Sequence, residues 1–459
     1  MQKFFELDRI DATKRDVVAR LKDFDEIYNL FKPLKAQEQA DRCVQCGDPY
    51  CHNKCPLHNL IPQWLKSVAN KDLELAFNLS NEPSPFPEVM GRICPHDRLC
   101  EGDCTLNDGH GAITIGSIET FINEEGLAKG FKPKFAKEKI GKKVAIIGAG
   151  PSGLSAATFL LREGIDVELF DKHTRPGGLM TYGIPGFKLD KSVVERRVNF
   201  LKEAGARFNQ ECEVGKDISF EQLKEDFDAV YIGIGATAGR KSGLEGEDAP
   251  NAFLAMEFLT SIQKKLFDEK CEFDIDVKDK NVVVIGGGDT AMDCVRTSLR
   301  EKAKSVTCLY RRDAHNMPGS QKEYINAKEE GVEFEFYTSP KALKLEQGEI
   351  TAIEMIKTQL GEADNSGRQR VQEVAGSEYE VEADIVIFAL GFDSVKYPFL
   401  SENGIELDQW NGIAVDSNYQ TSCEGVYAGG DCHRGADLVV TAVYDGREAA
   451  KAIAKSLTK

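Results

Sequence analysis

Two copies of one glycine pattern, each set between a short apolar run and a helical stretch, follow a block of seven cysteines. Together these observations predict the fold class: α/β, with two Rossmann-like dinucleotide-binding domains preceded by a mostly helical domain. A length of 459 residues suits about three such bodies.

Composition narrows the partners before any motif does. A hydrophobic share of 41% and a charged share of 29% fit a globular chain able to bury several cores. The net charge of −17 argues against nucleic acid or an anionic membrane surface as partner. No run approaches the roughly 18 apolar residues of a membrane span. The opening MQKFFELDRIDATKRD is charged and lacks a signal peptide's apolar core, so the expected location is cytoplasmic. In that compartment thirteen cysteines point to metal or redox chemistry rather than disulfides.

Residues 1–140 carry Cys43, Cys46, Cys51, Cys55, Cys94, Cys100 and Cys104. The first four read C-x2-C-x4-C-x3-C, with Pro56 next. Short spacings let several thiolates converge on one inorganic cluster, and a last cysteine followed by proline is a feature of ferredoxin-like runs. Structural zinc is the competing reading, weakened because only the first pair has the form of a zinc knuckle. Two four-iron clusters need eight ligands, and seven cysteines leave one place open. Glu119 is a candidate for it, and His52, His58, His96 and His110 are rivals by chemistry. Helical spacing is expected over Lys14 to Phe31 and Leu60 to Leu79, with Pro83, Pro85 and Pro87 breaking the chain after them. The expectation is a domain wrapped around cofactors rather than around a large apolar core.

Residues 141–265 open on VAIIGAGPSGLSAATFLLREGIDVELFD, from Val144 to Asp171: strand, turn, helix, strand. Gly148 permits the tight turn, Gly150 lets a pyrophosphate approach the backbone, and Gly153 lets the helix pack on the strand. The helix N-terminus offers free N–H groups to phosphates, and Asp171 is placed to hydrogen-bond a ribose hydroxyl. Gly177, Gly178, Gly183 and Gly186 follow in an irregular loop that could pass backbone close to a planar ligand. Val193 to Ala204 reads as an amphipathic helix and Asp228 to Gly235 as a buried strand.

Residues 266–385 repeat the pattern. NVVVIGGGDTAMDCVRTSLREKAKSVTCLYRR places Gly286, Gly288, Asp289, Thr290 and Ala291 at the turn, and its second strand ends on Arg311 and Arg312. An acid at that place selects a free ribose hydroxyl, whereas arginine accommodates a 2′-phosphate through charge-assisted bonds. The second unit is therefore expected to take NADPH. Leu345 to Glu382 alternates polar and apolar residues and reads as an antiparallel addition, and Asp384 to Gly391 as another buried strand.

Residues 386–459 return to the first unit. The run GVYAGGD, with Gly430 and Asp431 at its end, precedes a helix from Ala436 to Leu457. In two-dinucleotide flavoproteins such a segment closes the FAD domain, and its helix N-terminus would stabilise negative charge on a reduced flavin. That assigns the first fingerprint to FAD. Cys423 and Cys432 are not a C-x-x-C pair; with Cys212, Cys271, Cys294 and Cys308 they are read as structural.

These motifs together resemble one family, the small (beta) subunit of NADPH-dependent glutamate synthase, a module shared with the N-terminal part of dihydropyrimidine dehydrogenase. The resemblance rests on the cysteine series, GAGPSGL at 148–154, RPGGLMTYGIPGFKL at 175–189, GGGDTAMDC at 286–294, YRRDAHNMPGS at 310–320 and YAGGD at 427–431. It implies FAD, NADPH and two 4Fe-4S clusters. By position it gives Cys43, Cys46, Cys51 and Cys104 to one cluster, and Cys55, Cys94, Cys100 and Glu119 to the other. It also implies hydride transfer from NADPH to flavin, then single-electron transfer through the clusters to an acceptor. In the family that acceptor is the large subunit, where glutamine supplies ammonia to 2-oxoglutarate; the chain has no room for a glutaminase of its own. Ferredoxin or another dehydrogenase is the alternative acceptor. No catalytic side-chain nucleophile or base is required, because the cofactors carry the chemistry.

Overall fold

The computed structural model describes residues 3–363 and 369–458. Its first sheet has five strands, with Lys143–Ile147 in the middle. Asp166–Phe170 and then Arg207–Asn209 lie on one side, Ala229–Ile232 and then Val426–Ala428 on the other, and every pairing is parallel. The central strand reads as an unbroken apolar run because both its faces are covered; Val144, Ala145 and Ile146 are completely buried. Pro151 opens the helix Pro151–Arg162 at the position where a missing N–H is harmless. That helix packs under the last helix of the chain, Val439–Leu457, through Leu154, Ala157 and Leu161 against Val443, Ala450 and Ile453. The two approach closely at Gly446, where a Cβ would stand 2.1 Å from the Ser152 carbonyl oxygen. The C-terminal strand and helix are thus built into the first sheet's core.

The second sheet repeats the arrangement. Asn281–Ile285 is central, Ser305–Tyr310 and Glu333–Phe336 lie to one side, Ile385–Phe388 and Ala252–Leu254 to the other, all parallel. Four of the five strands follow the same order in both sheets. The fifth differs in origin: the first sheet receives it from the chain's end, the second from the chain on its way in. Ala252–Leu254 and the helix Ala255–Leu266 pack on the second core, although they lie within the stretch expected of the first unit. The expected antiparallel addition is present and begins earlier, with Thr338–Glu346 pairing Glu349–Ala363, which in turn pairs Gln369–Glu373 and Tyr379–Glu382. Where the chain leaves the first unit and returns to it, Ala238–Gly239 pairs antiparallel with Phe392–Asp393.

The region ahead of the sheets is mostly helical, with Pro33–Asp41, Ile61–Ala69, Leu73–Asn81, Pro87–Ile93 and Ile115–Ala128 as its longer helices. Three expectations change here. Lys14 to Phe31 is not one helix: only Val17–Arg20 is helical, and Lys14 bridges back to Tyr28 in antiparallel fashion. Buried Arg20 reaches Glu329 at 2.9 Å and Glu330 at 3.0 Å, so long-range ion pairs override the local periodicity. Leu60 to Leu79 is split, because Lys71 takes a positive φ of 63° and Asp72 caps a new helix by accepting the Leu75 N–H. The region also has an apolar core of its own around Trp64, Leu65, Ile118 and Ile122, all at most 1% exposed.

Candidate functional site

A cavity of about 340 Å³ opens at the C-terminal ends of the first sheet's strands, the place where open parallel sheets bind ligands. Gly148, Gly150, Asp171, Gly178 and Asp431 all line it. Gly148 holds φ at +98°, and a Cβ there would meet the Gly233 carbonyl oxygen at 2.5 Å. Gly153 faces inward; its Cβ would stand 1.9 Å from the Gly148 oxygen, so only glycine lets the helix sit on the turn. Gly150 is different: its Cβ would touch nothing nearer than 3.8 Å, so the bare backbone there serves whatever enters the cavity.

Asp171 is buried and held by two backbone donors, Ala149 N–H at 2.7 Å and His173 N–H at 2.8 Å. Its remaining lone pairs are the ones open to a ribose hydroxyl. At the far end, Gly430 takes φ +78°, and its N–H donates at 2.9 Å to Asp445 in the last helix. Asp431 follows with Oδ1 buried and without a hydrogen-bond partner, and burial pushes its carboxyl up to about 7. A buried orphan acceptor at a cavity wall fits a bound group that donates to it. The uncapped N-terminus of Val439–Leu457 lies beside it, with Leu438 and Val439 in the wall. Cys212, expected to be structural, also lines this cavity, while Cys294, Cys308 and Cys432 are buried.

The second fingerprint is more open. Gly286 repeats the strained turn, φ +150°, with a Cβ that would meet the Ala389 oxygen at 2.3 Å. A Cβ on Gly288 would meet nothing within 4 Å. Asp289, Thr290 and Ala291 form the first turn of the helix Asp289–Arg300. Asp289 accepts the Ser320 N–H at 2.9 Å, and the Gly319 N–H donates to the Gly287 oxygen at 2.9 Å, so the MPGS segment lies along the turn. Arg311 is exposed; Arg312 donates to the Gln369 carbonyl at 3.3 Å and keeps a buried Nε without a partner.

The cysteines fall into two groups. Cys43, Cys46, Cys51 and Cys104 line one small cavity between helices. Cys55, Cys94, Cys100 and Glu119 form the other, close enough that their charges act on one another. Burial pushes the Cys43 thiol up to about 11 and Cys51 to about 12, and raises Cys94 and Cys100 well above the usual thiol value. Glu119 is 4% exposed, accepts the Asn59 amide at 2.5 Å, and is pushed by burial up to about 8. Among the described residues no three such donors crowd closely enough to hold a single metal ion. None of His52, His58, His96 or His110 lines the thiol cavity. His96 packs on Gly116, His110 on Phe4 and Phe5, and His52 on His58.

Residues 142–446 match the family model of pyridine nucleotide-disulphide oxidoreductases, and residues 20–131 that of dihydropyrimidine dehydrogenase domain II, 4Fe-4S cluster. The small chain of NADPH glutamate synthase from Escherichia coli is 47% identical over 98% of this chain and 98% of its own. The chain belongs to the family of glutamate synthase small chains. It is accordingly an oxidoreductase. The Azospirillum brasilense small chain is 45% identical over 96% of this chain and 93% of its own. A longer Escherichia coli chain named for oxidoreductase AegA is 48% identical over 97% of this chain and 69% of its own. In fold, FprA from Mycobacterium tuberculosis in complex with NADPH matches with a TM-score of 0.59 at 21% identity, covering 69% of this chain and 85% of that one. Thioredoxin reductase of T. acidophilum gives 0.50 at 22% identity, covering 69% and 100%.

In this glutamate synthase small-chain relative, several contacts at the sites carried no signal in the sequence. Asp445 holds the Gly430 turn and pairs with Arg434. Arg447, from the same last helix, donates to the carbonyls of Leu57 at 2.9 Å and Pro83 at 3.0 Å, fastening the Cys55 segment to the first unit. Half-buried Lys188, in the GIPGFKL run, meets Asp293 of the second unit at 2.8 Å. Each partner lies in a different element, so no spacing rule points to it.

Proposed function

We propose that the protein is the NADPH-oxidising, electron-input subunit of a glutamate synthase. The observation that carries the reading is the order of its sites. The second unit adjoins the first-unit cavity, whose wall includes Met256 and Thr260 of the helix Ala255–Leu266. Cys55 and Cys94 pack against the first unit's core, whereas Cys43, Cys51 and Cys104 pack against the core of the helical region.

In this reading FAD is held by Gly148, Gly150, Gly153, Asp171, Gly178, Gly430 and Asp431. NADPH is held by Gly286, Gly288, Asp289, Thr290 and Ala291, with Arg311 and Arg312 at its 2′-phosphate. Two 4Fe-4S clusters take Cys43, Cys46, Cys51 and Cys104, and Cys55, Cys94, Cys100 and Glu119. The donor chemistry supports the last assignment: seven soft thiols and one carboxyl, drawn into two groups of four, suit iron–sulfur ligation. Bound there, flavin supplies the conversion of two-electron hydride chemistry into one-electron steps, which the clusters relay. The chain's own residues bind, orient and exclude water. Asp431 presents an acceptor in a dry wall, and the positive end of Val439–Leu457 favours negative charge beside it.

The acceptor in this reading is the large glutamate synthase subunit, which makes glutamate from glutamine and 2-oxoglutarate. The place is the cytoplasm; no helix among the described residues is long and apolar enough to cross a membrane. Purified without oxygen, the chain should contain flavin and iron, reduce an artificial acceptor with NADPH, and support glutamate formation once the large subunit is added. Reduction of neither acceptor contradicts the proposal. The likeness to AegA favours a second reading, a related NADPH-dependent FAD and iron–sulfur oxidoreductase serving ferredoxin or another dehydrogenase. Electron transfer to ferredoxin with none to the large subunit would select it.

A further inference from the structure

The loop between Cys94 and Cys100 reaches into the second unit. Its Arg98 donates from one guanidinium nitrogen to the Asp289 carboxylate at 3.3 Å, and from another to the Pro318 carbonyl. Beside it, Asp97 accepts the Gln321 N–H at 3.4 Å. Asp289 opens the twelve-residue helix Asp289–Arg300 directly after Gly288, where the fingerprint's free N–H groups face outward. A carboxylate at that place is an electrostatic problem, because the group that the turn is shaped to receive is a diphosphate. Arg98 is the basic side chain paired with it, and both remain reachable from solvent, with side chains 42% and 34% exposed.

We propose that Arg98 is a nucleotide-binding residue, lent by the cysteine-bearing region to the second unit: it neutralises Asp289 and donates to the pyrophosphate of the dinucleotide. The inference rests on the reading of the second fingerprint as a pyridine nucleotide site. It makes that site a composite of two regions, closed by the loop that carries two cluster cysteines. The pyrophosphate is common to NADPH and NADH, whereas the 2′-phosphate is not. Arg98 therefore contributes equally to both, and Arg311 and Arg312 to one alone.

The test is equilibrium binding of NADP+ and NAD+ to the flavin- and iron-loaded protein by titration calorimetry, at low and high salt. Arg98→Ala is expected to raise both dissociation constants by a similar factor, about tenfold or more, with a shallower salt dependence. Arg98→Lys, which keeps the charge and loses the fork, should lose less. Adding Asp289→Asn to Arg98→Ala should recover part of the loss, since the unpaired carboxylate is gone. Should Arg98→Ala shed iron, the Arg98→Lys and Asp289→Asn pair carries the same comparison in an intact loop. Unchanged constants, or a loss confined to NADP+, overturn the role of Arg98 while leaving the second site standing. A wild type that binds neither dinucleotide overturns the reading of the site itself.

Discussion

The two nucleotide units share the order of four of their five strands, but their glycine turns are built to different tolerances. In the first, Gly153 leaves 1.9 Å for a Cβ, and the cavity beyond it holds a buried carboxylate oxygen without a partner. In the second, Ala291 stands at the equivalent place, completely buried without conflict, and Gly288 faces open space. A tightly fitted turn suits a resident group that stays through many turnovers; a looser one suits a co-substrate that must leave. The difference teaches that one fingerprint can serve retention or exchange, according to what surrounds it.

The largest effect should come from closing the tight turn. Gly153→Ala forces a methyl against backbone that cannot yield, and a loss of about 3 kcal/mol or more is expected, read as a lower unfolding midpoint together with loss of flavin. In the second turn, Gly288→Ala, at the place of Gly150, meets nothing, and should leave the unfolding midpoint unchanged while weakening nucleotide binding.

Next is the buried carboxyl. Asp431 is pushed up to about 7 by burial, so the folded state holds its proton more tightly than the unfolded state does. The stability present below about pH 4 is lost as pH rises through 7. Flavin-free protein carrying Asp431→Asn should lack that slope and exceed the wild type at pH 8, by about 4 kcal/mol at most. Denaturant melts at pH 5 and pH 8 check it, and an unchanged pH difference between the two proteins would show that the carboxyl is solvated.

A smaller and more selective effect belongs to the arginines. Removing Arg311 and Arg312 together should weaken NADPH by roughly ten- to a hundredfold and leave NADH within about twofold, as expected for lost charged hydrogen bonds to one phosphate. Smallest is Ala291→Gly, which should cost about 0.5 to 1 kcal/mol from helix flexibility alone, with no gain in affinity. A larger loss would show that the second turn is as tightly fitted as the first.

Much of this was legible because the backbone demands it locally. Strained turns at Gly148 and Gly286 require glycine wherever they occur, and parallel strands covered on both faces must be apolar runs. The seven cysteines and Glu119 were legible as a count of donors, and the structure draws them into two groups. What was illegible depends on partners far along the chain. Lys14 to Phe31 has helical spacing, yet Arg20 is drawn to Glu329 and Glu330. Arg98 and Asp289 are 191 residues apart, and Asp445 serves a turn in a different element. Only the fold brings such pairs together.

The central claim is that the first unit keeps flavin and the second exchanges NADPH. Anaerobic titration of the purified protein with NADPH and then NADH, following flavin absorbance beside iron and flavin counts, tests it most directly. The account predicts bound flavin and iron, bleaching by near-stoichiometric NADPH, and a far weaker response to NADH that becomes equal once Arg311 and Arg312 are replaced. Bleaching by NADH at the same or lower concentration in the wild type would contradict it.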